Sequence, residues 1–188
     1  MKILMCEPRY FDVQYSINPW MTSTATVDKS LARVQWWQLK DTIERCGGEV
    51  ELIEQDVSSP DMVFTANAGF VFDHNVYLAT FKHPERQLEK KYFEYWFNEK
   101  GYEIHGNEDP VPFEGAGDLL SCNKKLFAAS GFRTNPSVYN EITVIAPEYK
   151  IIRLELVDPS FYHLDTCFCP LNERQALVWP EAFSEDKK

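Results

Sequence analysis

The sequence predicts an α/β fold built from repeated β-β-α-β units, the last of which is incomplete. Short apolar runs alternate with amphipathic helical segments along the 188 residues, and the same order of elements recurs. Polar residues at equivalent points of three successive units, Thr65, Glu114 and His163, follow one another at intervals of 49 residues. Repeats of this kind bury their apolar faces only against their neighbours. We therefore expect one domain over 1–188, arranged as an incomplete ring or array.

A β-α-β segment opens the chain. The apolar run KILMC at 2–6 predicts a buried strand. Apolar residues then recur every three or four positions after Asp28, which predicts an amphipathic helix that ends at Gly47–Gly48. The alternation in 49–54 predicts the next strand.

Two β-β-α-β units and the start of a third follow. Proline marks the expected first turn of each helix, and Asn135 is the expected N-cap of the second unit's helix. A third helix is expected at Pro180, so the third unit is cut off near 181–188. The predicted segments are strands 62–72 and 76–81, a helix from Pro84 to Gly101 and strand 102–105; strands 113–122 and 125–130, a helix from Pro136 and strand 150–156; and strands 161–169 and 175–180.

Composition narrows the class of function. The net charge of −10 and the isoelectric point near 4.9 argue against nucleic acid, whose phosphates would be repelled. No run of eighteen apolar residues and no leader-like start occurs, so no membrane association is expected. Five cysteines form an odd set without a CxxC pair, which favours reduced thiols and a cytoplasmic location.

The stretch HLDTCFC at 163–169 raises the question of a His–Cys catalytic pair. On one strand, His163 and Cys167 would lie roughly 13 Å apart at ~3.3 Å per residue, too far for a nucleophile and its base. Cys167 and Cys169 are therefore predicted to be small buried residues, and a metal site that includes Asp165 lacks paired ligand spacing. The 49-residue period instead predicts that His163 faces Glu114 across a common axis.

Several segments resemble the amidinotransferase and dimethylargininase family of guanidine-modifying enzymes. They are PDMVFTANAG at 60–69, FEGAGD at 113–118, SGFRTN at 130–135 and YHLDT at 162–166. The resemblance covers nearly the whole chain. It implies a pentein-type α/β propeller of five β-β-α-β units, of which this chain holds about three to four.

The resemblance also implies roles for single residues. His163 matches the general acid/base, and Glu114 matches the carboxylate that orients it. Asp61 matches a carboxylate that binds guanidinium nitrogens, and Arg133 matches the arginine that holds the substrate's α-carboxylate. Each residue alone has a simpler interpretation, such as an exposed turn carboxylate for Glu114 or a surface charge for Arg133. The order of the motifs together favours the site.

Asn67 stands where dimethylargininases carry aspartate, and with Asn18 it resembles the arginine dihydrolase branch. Phe64, in the same P-D-x-V-F motif as Asp61, joins these residues as a substrate-binding candidate. The family's second anchoring arginine has no clear match near Lys82. The resemblance thus implies a hydrolase acting on the guanidino group of arginine or a methylarginine. The partner is then a small guanidino substrate, with no metal or organic cofactor, in a protein that could form a homo-oligomer.

The family's nucleophilic cysteine has no counterpart among the five cysteines. Two further steps of the repeat from His163 place it at about residue 261. Three explanations stay open. The sequence could be part of a longer enzyme, a module that binds arginine-like ligands without turnover, or an assembly partner completed by another chain.

Overall fold

The computed structural model describes residues 2–22, 26–106 and 111–185. Within these ranges the chain forms four helices and ten strands. The strands are β1 (Lys2–Cys6), β2 (Glu49–Ile53), β3 (Gly69–Phe72), β4 (Asn75–Leu78), β5 (Glu103–His105), β6 (Leu119–Cys122), β7 (Lys125–Ser130), β8 (Lys150–Glu155), β9 (Phe168–Asn172) and β10 (Gln175–Val178). The helices are α1 (Lys29–Arg45), α2 (Pro84–Gln87), α3 (Glu89–Glu99) and α4 (Val138–Ile145).

The strands form four small sheets with a repeated topology in the part that the structure describes. Strand β3 pairs antiparallel with β4, which pairs parallel with β5, and the strands β6, β7 and β8 repeat this arrangement. Strands β9 and β10 form the antiparallel hairpin of a third unit, and β1 pairs parallel with β2. The predicted α/β class and the β-β-α-β repeat are confirmed.

The hairpins begin later than predicted, because each opens with 3-10 turns instead of extended chain. These turns close with hydrogen bonds between nearby backbone groups, such as the Phe64 N–H to the Asp61 carbonyl at 3.0 Å. Apolar and polar residues alternate in these segments as they do in strands, so the pattern alone predicted extended chain. The strands predicted to begin at 62, 113 and 161 were therefore wrong at their starts. The turns are Pro60–Val63, Thr65–Ala68, Gly115–Gly117, Pro159–Phe161 and Leu164–Thr166.

The predicted helices are found with shifted bounds. Asp28 caps α1 by accepting a hydrogen bond from the Leu31 N–H at 2.9 Å. The helix predicted from Pro84 is interrupted at Leu88, which separates α2 from α3. Asn135 is not the N-cap of α4, because its carboxamide accepts from the Ser137 N–H in a turn that precedes the helix. At Pro180 the chain forms a 3-10 turn, Pro180–Ala182, where a helix was expected.

The apolar core lies between successive units. One cluster joins strands β3 and β4 of the first unit to β6, β7 and α4 of the second, and another joins the second unit to the third. A third cluster joins β1 and β2 to the first unit through residues such as Met62 and Phe93. Each unit therefore buries its apolar face against a neighbour, as expected of repeats.

Helix α1 departs from this arrangement. Its apolar side chains follow the predicted helical period, yet none of its residues is buried in the described part of the chain. The apolar residues with more than a third of their surface exposed on α1 are Leu31, Val34, Trp37 and Leu39.

No helix within the described ranges is long and apolar enough to cross a membrane.

Candidate active site

Residues of all three units meet at one cavity of about 410 Å³, and the 3-10 turns of the first and third units form part of its wall. A turn at the start of a strand directs its side chains toward the common axis, so each unit contributes to the same site. The structure brings Glu114 and His163 together, whereas Thr65 at the equivalent position of the first unit donates its hydroxyl to the Leu4 carbonyl at 2.7 Å. The cavity is lined by Phe11, Val13, Ile17, Asn18, Trp20, Met21, Asp61, Phe64, Ala66, Asn67, Arg86, Arg133, Tyr162, His163, Asp165 and Thr166.

Two glycines of the FEGAGD segment allow this close approach. Gly115 has φ +59°, and a Cβ there would lie 2.7 Å from the Ala66 carbonyl oxygen. A Cβ at Gly117 would lie 2.4 Å from Asn67 Nδ2 and 3.1 Å from His163 Nδ1. The distances of 2.7 and 2.4 Å are far below van der Waals contact, so the turns of the three units meet only because these positions lack side chains.

Glu114 is fully buried and lies between two cationic groups. Arg133 donates from Nη1 to Glu114 Oε2 at 2.8 Å, and His163 Nε2 lies 3.2 Å from the same oxygen. The second oxygen, Oε1, accepts the Lys82 backbone N–H at 3.2 Å. Burial alone would raise the pKa of Glu114, but His163 and Arg133 outweigh burial and lower this pKa to about 2. The alternative of an exposed turn carboxylate is therefore wrong.

His163 lies between two carboxylates. Its Nδ1 is 3.1 Å from Asp118 Oδ1, while its Nε2 faces Glu114. Both are ion-pair contacts without the alignment of a linear hydrogen bond. Burial would lower the pKa of His163, but Asp118 and Glu114 outweigh it and raise the pKa to about 9. The ring is therefore an imidazolium at neutral pH.

The strand argument against a His163–Cys167 pair was wrong in its premise. His163 precedes the 3-10 turn Leu164–Thr166, and Cys167 Sγ lies 3.8 Å from the His163 carbonyl oxygen. Cys167 is nevertheless a poor nucleophile, because burial raises its pKa to about 12 and keeps the thiol protonated. Cys169, which was predicted to be buried, is exposed. No cysteine lines the cavity in the described part of the chain.

Two aspartates face the cavity near His163. Asp61 is buried and accepts the Tyr15 hydroxyl at 2.9 Å. Burial raises its pKa, although Arg86 and Tyr15 oppose the shift. Asp165, which the sequence suggested only as a metal ligand, also lines the cavity; its side chain is exposed to the open cavity, and the surrounding protein raises its pKa to about 6. No three histidine, cysteine, aspartate or glutamate side chains come close enough to hold a metal ion within the described ranges.

Arg86 is the cavity-lining cation that the sequence reasoning missed. Its guanidinium forms a paired contact with the buried Glu89, with two nitrogen–oxygen distances of 2.8 Å. Its Nη1 donates to Asn67 Oδ1 at 2.9 Å, and Asn67 Nδ2 donates to the Glu114 carbonyl at 3.2 Å. Lys82, which lay nearest in sequence to the expected arginine, turns away and donates to the Phe132 carbonyl. Arg86 lies near the start of a helix, close to Pro84. Nothing in the local sequence there predicts that its side chain points into the cavity.

The segment before α1 covers one side of the cavity. Asn18 lines the cavity, and its carboxamide oxygen also accepts the backbone N–H groups of Trp20 and Met21. Arg133 donates from Nη2 to the Ile17 carbonyl at 2.8 Å, which ties this segment to the charged centre. Phe64 also lines the cavity, although 49% of its surface is exposed.

The fold and the cavity define the class as a pentein-type α/β protein with a buried histidine–carboxylate centre. Residues 8–188 match the family described as "N,N dimethylarginine dimethylhydrolase, eukaryotic", and the chain belongs to this family. The resemblance identified from the motifs is thereby confirmed.

Curated relatives and solved structures agree with this membership. The chain is 43% identical over 186 residues to the bifunctional arginine dihydrolase/ornithine cyclodeaminase ArgZ of Synechocystis, covering 97% of this chain and 26% of that protein. It is 41% identical over 184 residues to the N(G),N(G)-dimethylarginine dimethylaminohydrolase of Mycobacterium tuberculosis, covering 96% and 59%. A mutant N-terminal domain of ArgZ crystallised with its substrate superposes with a TM-score of 0.95 at 42% identity, covering 99% of this chain and 69% of that one. The chain thus spans less than two thirds of either relative.

The charged centre predicts how stability changes with pH. The pKa of His163 is about 9 in the folded chain and near 6.5 when unfolded, so its stabilising contribution is complete below about pH 6.5 and is lost as pH rises through 9. We expect the difference in free energy of unfolding between the wild type and His163→Gln to shrink by up to about 3 kcal/mol between pH 6.5 and 9.5. Urea unfolding at both pH values measures this difference.

The exposed His74 supplies the matched control for this experiment. A His74→Gln variant should differ from the wild type by the same amount at both pH values. An unchanged difference for His163→Gln across this range would contradict the assignment of a buried imidazolium.

Proposed function

We propose that this chain forms the substrate-binding and acid/base part of a hydrolase acting on the guanidino group of arginine or a methylarginine. The observation that carries the proposal is one cavity in which two aspartates, Asp61 and Asp165, lie beside the charged His163. A guanidinium is a planar cation, and carboxylates hold it by paired hydrogen bonds. Families and relatives that hydrolyse such groups support the proposal.

The carboxylates would hold the guanidinium, and Arg133 would hold the substrate's α-carboxylate. Arg133 uses two of its five N–H groups within the chain, for Glu114 and the Ile17 carbonyl, and its other N–H groups are left for a ligand. Four of the five N–H groups of Arg86 already donate to Glu89, Asn67 and the Asp61 carbonyl. Arg133 is therefore the better candidate, and Arg86 would orient Asn67.

The chemistry requires a thiolate that attacks the central guanidino carbon. A carbon–sulfur bond forms, the bond to the departing nitrogen breaks, and His163 protonates the leaving amine. The thiouronium that remains is attacked by water, from which His163 then takes a proton, and the carbon–sulfur bond breaks. The products are citrulline with ammonia from arginine, or citrulline with dimethylamine from dimethylarginine. A second round, acting on the citrulline, would release ammonia and carbon dioxide and give ornithine.

The thiolate would come from outside the described residues, because none of these cysteines lines the cavity. The repeat spacing places a suitable cysteine at about residue 261 of a longer chain. This same observation supports the second candidate function, in which the chain binds arginine-like ligands without turning them over.

Arginine is the favoured substrate. Asn67 removes a negative charge that an aspartate would place at the cavity, and its carboxamide is fixed between Arg86 and Glu114. Asn18 adds a second carboxamide to the cavity wall. The sequence identities to the dihydrolase and to the dimethylarginine enzyme are similar, at 43% and 41%. The choice of arginine over a methylarginine therefore rests on these side chains.

Binding of L-arginine to the chain can be measured by isothermal titration calorimetry. We expect Asp61→Asn to weaken binding about tenfold or more, because a charge-assisted hydrogen bond contributes about 1.5–3 kcal/mol. Asp41→Asn on the exposed surface of α1 is the matched control and should bind like the wild type. Equal affinities for wild type and Asp61→Asn would refute the proposed guanidinium site.

Turnover is predicted only for a longer chain that includes the nucleophile. In that protein His163→Ala should abolish release of ammonia or amine, whereas Cys167→Ala should retain most of it, because the Cys167 thiol contacts backbone carbonyls outside the cavity. Loss of activity in a well-folded Cys167→Ala protein would overturn this assignment, as would turnover by residues 1–188 alone.

A further inference from the structure

The two carboxylates beside His163 differ in how their charges are balanced. We infer that Asp118 holds a proton on Nδ1 of His163 and fixes the orientation of its ring, so that the proton exchanged during the reaction is the one on Nε2, the nitrogen that faces Glu114 at 3.2 Å. Asp118 is thus a positioning residue. The inference rests on the proposed function, because it specifies how His163 serves as the acid and base.

Glu114 has a permanent cationic partner. Its Oε2 accepts from Arg133 Nη1 at 2.8 Å, and both side chains are buried. An arginine stays charged at every pH at which the protein is folded, so the charge of Glu114 is balanced whether or not His163 carries a proton.

Asp118 has no such partner. It is 1% exposed, and its Oδ2 accepts the Thr134 hydroxyl at 2.7 Å while its Oδ1 accepts the Leu164 N–H at 3.2 Å. Both donors are neutral. No lysine or arginine in the described ranges lies within ion-pair distance of Asp118, and its charged contact there is His163 Nδ1 at 3.1 Å. A buried carboxylate without a counter-charge is strongly disfavoured, so Asp118 requires the imidazolium.

The local structure holds Asp118 rigidly in this position. Glu114 precedes and Asp118 follows the 3-10 turn Gly115–Gly117, so the turn places both carboxylates on His163. Thr134 links them, because its hydroxyl donates to Asp118 and accepts the Glu114 backbone N–H at 3.1 Å. The Asp118 carboxylate is thereby tied to the backbone at Glu114.

The two ring nitrogens of His163 therefore have different roles. Nδ1 keeps its proton toward Asp118, and Nε2 alternates between donor and acceptor during the reaction. Other charged or titratable groups facing this region from neighbouring elements act on the ring from farther away than Asp118 and Glu114. They are Asp61, Arg86, Arg133, Tyr162 and Asp165.

The test is an NMR titration of the histidine side chains in the ¹⁵N-labelled chain without ligand, with the His163 signal identified by its loss in His163→Gln. We expect Asp118→Asn to lower the pKa of His163 by roughly one to three pH units, because it removes the adjacent negative charge. Glu114→Gln should also lower it, because it removes the carboxylate at Nε2 and leaves the Arg133 cation unbalanced near the ring. Asp165→Asn, which removes a more distant carboxylate, serves as the control and should have the smallest effect.

An unchanged His163 pKa in a folded Asp118→Asn protein would overturn the inference. If Asp118→Asn fails to fold, the position of the ring proton in the wild-type protein tests the inference instead. Above pH 9 the neutral ring is expected to carry its proton on Nδ1, and ¹⁵N shifts that place it on Nε2 would contradict the assignment. Neither measurement needs a substrate, so a failure to bind arginine would count against the proposed function and leave this result standing.

Discussion

The burial of two carboxylates, Glu114 and Asp118, beside one arginine and one histidine is the constraint on which the rest of the site depends. Uncompensated charges of this kind would destabilise the chain, so Arg133 and His163 must reach them from other parts of the sequence. These contacts require the turns of separate units to approach closely. Gly115 and Gly117 make the approach possible, because a methyl group at either position would overlap a neighbouring turn.

The repeat architecture explains why such distant residues converge. Each unit begins with a 3-10 turn that faces the common axis, and the apolar core between units fixes the angle at which the turns meet. The cavity then combines the turns of the first and third units with Arg133 of the second unit and the segment that precedes α1. A ligand in this cavity would contact all of them, so the site exists only when the units are packed against one another.

The sequence predicted the class of fold and the meeting of Glu114 and His163, because apolar periodicity and the 49-residue spacing report on topology directly. It missed the 3-10 turns, since their alternating residues look the same as a strand until backbone hydrogen bonds are known. The same error placed His163 and Cys167 on one extended strand. The partners Arg86 and Asp118 were missed for another reason: whether a charged side chain points toward the buried centre depends on packing between units, which the local sequence does not encode.

In the proposed function, this chain binds the guanidino group and transfers protons, while a thiolate outside the described residues performs the attack. The chain spans only part of its curated relatives, which fits that division. The most direct test is a crystal structure of the chain with L-arginine. The account predicts the guanidinium between Asp61 and Asp165, with a guanidino nitrogen within hydrogen-bond distance of His163 Nε2. Arginine bound elsewhere on the surface, with this cavity holding only water, would contradict it.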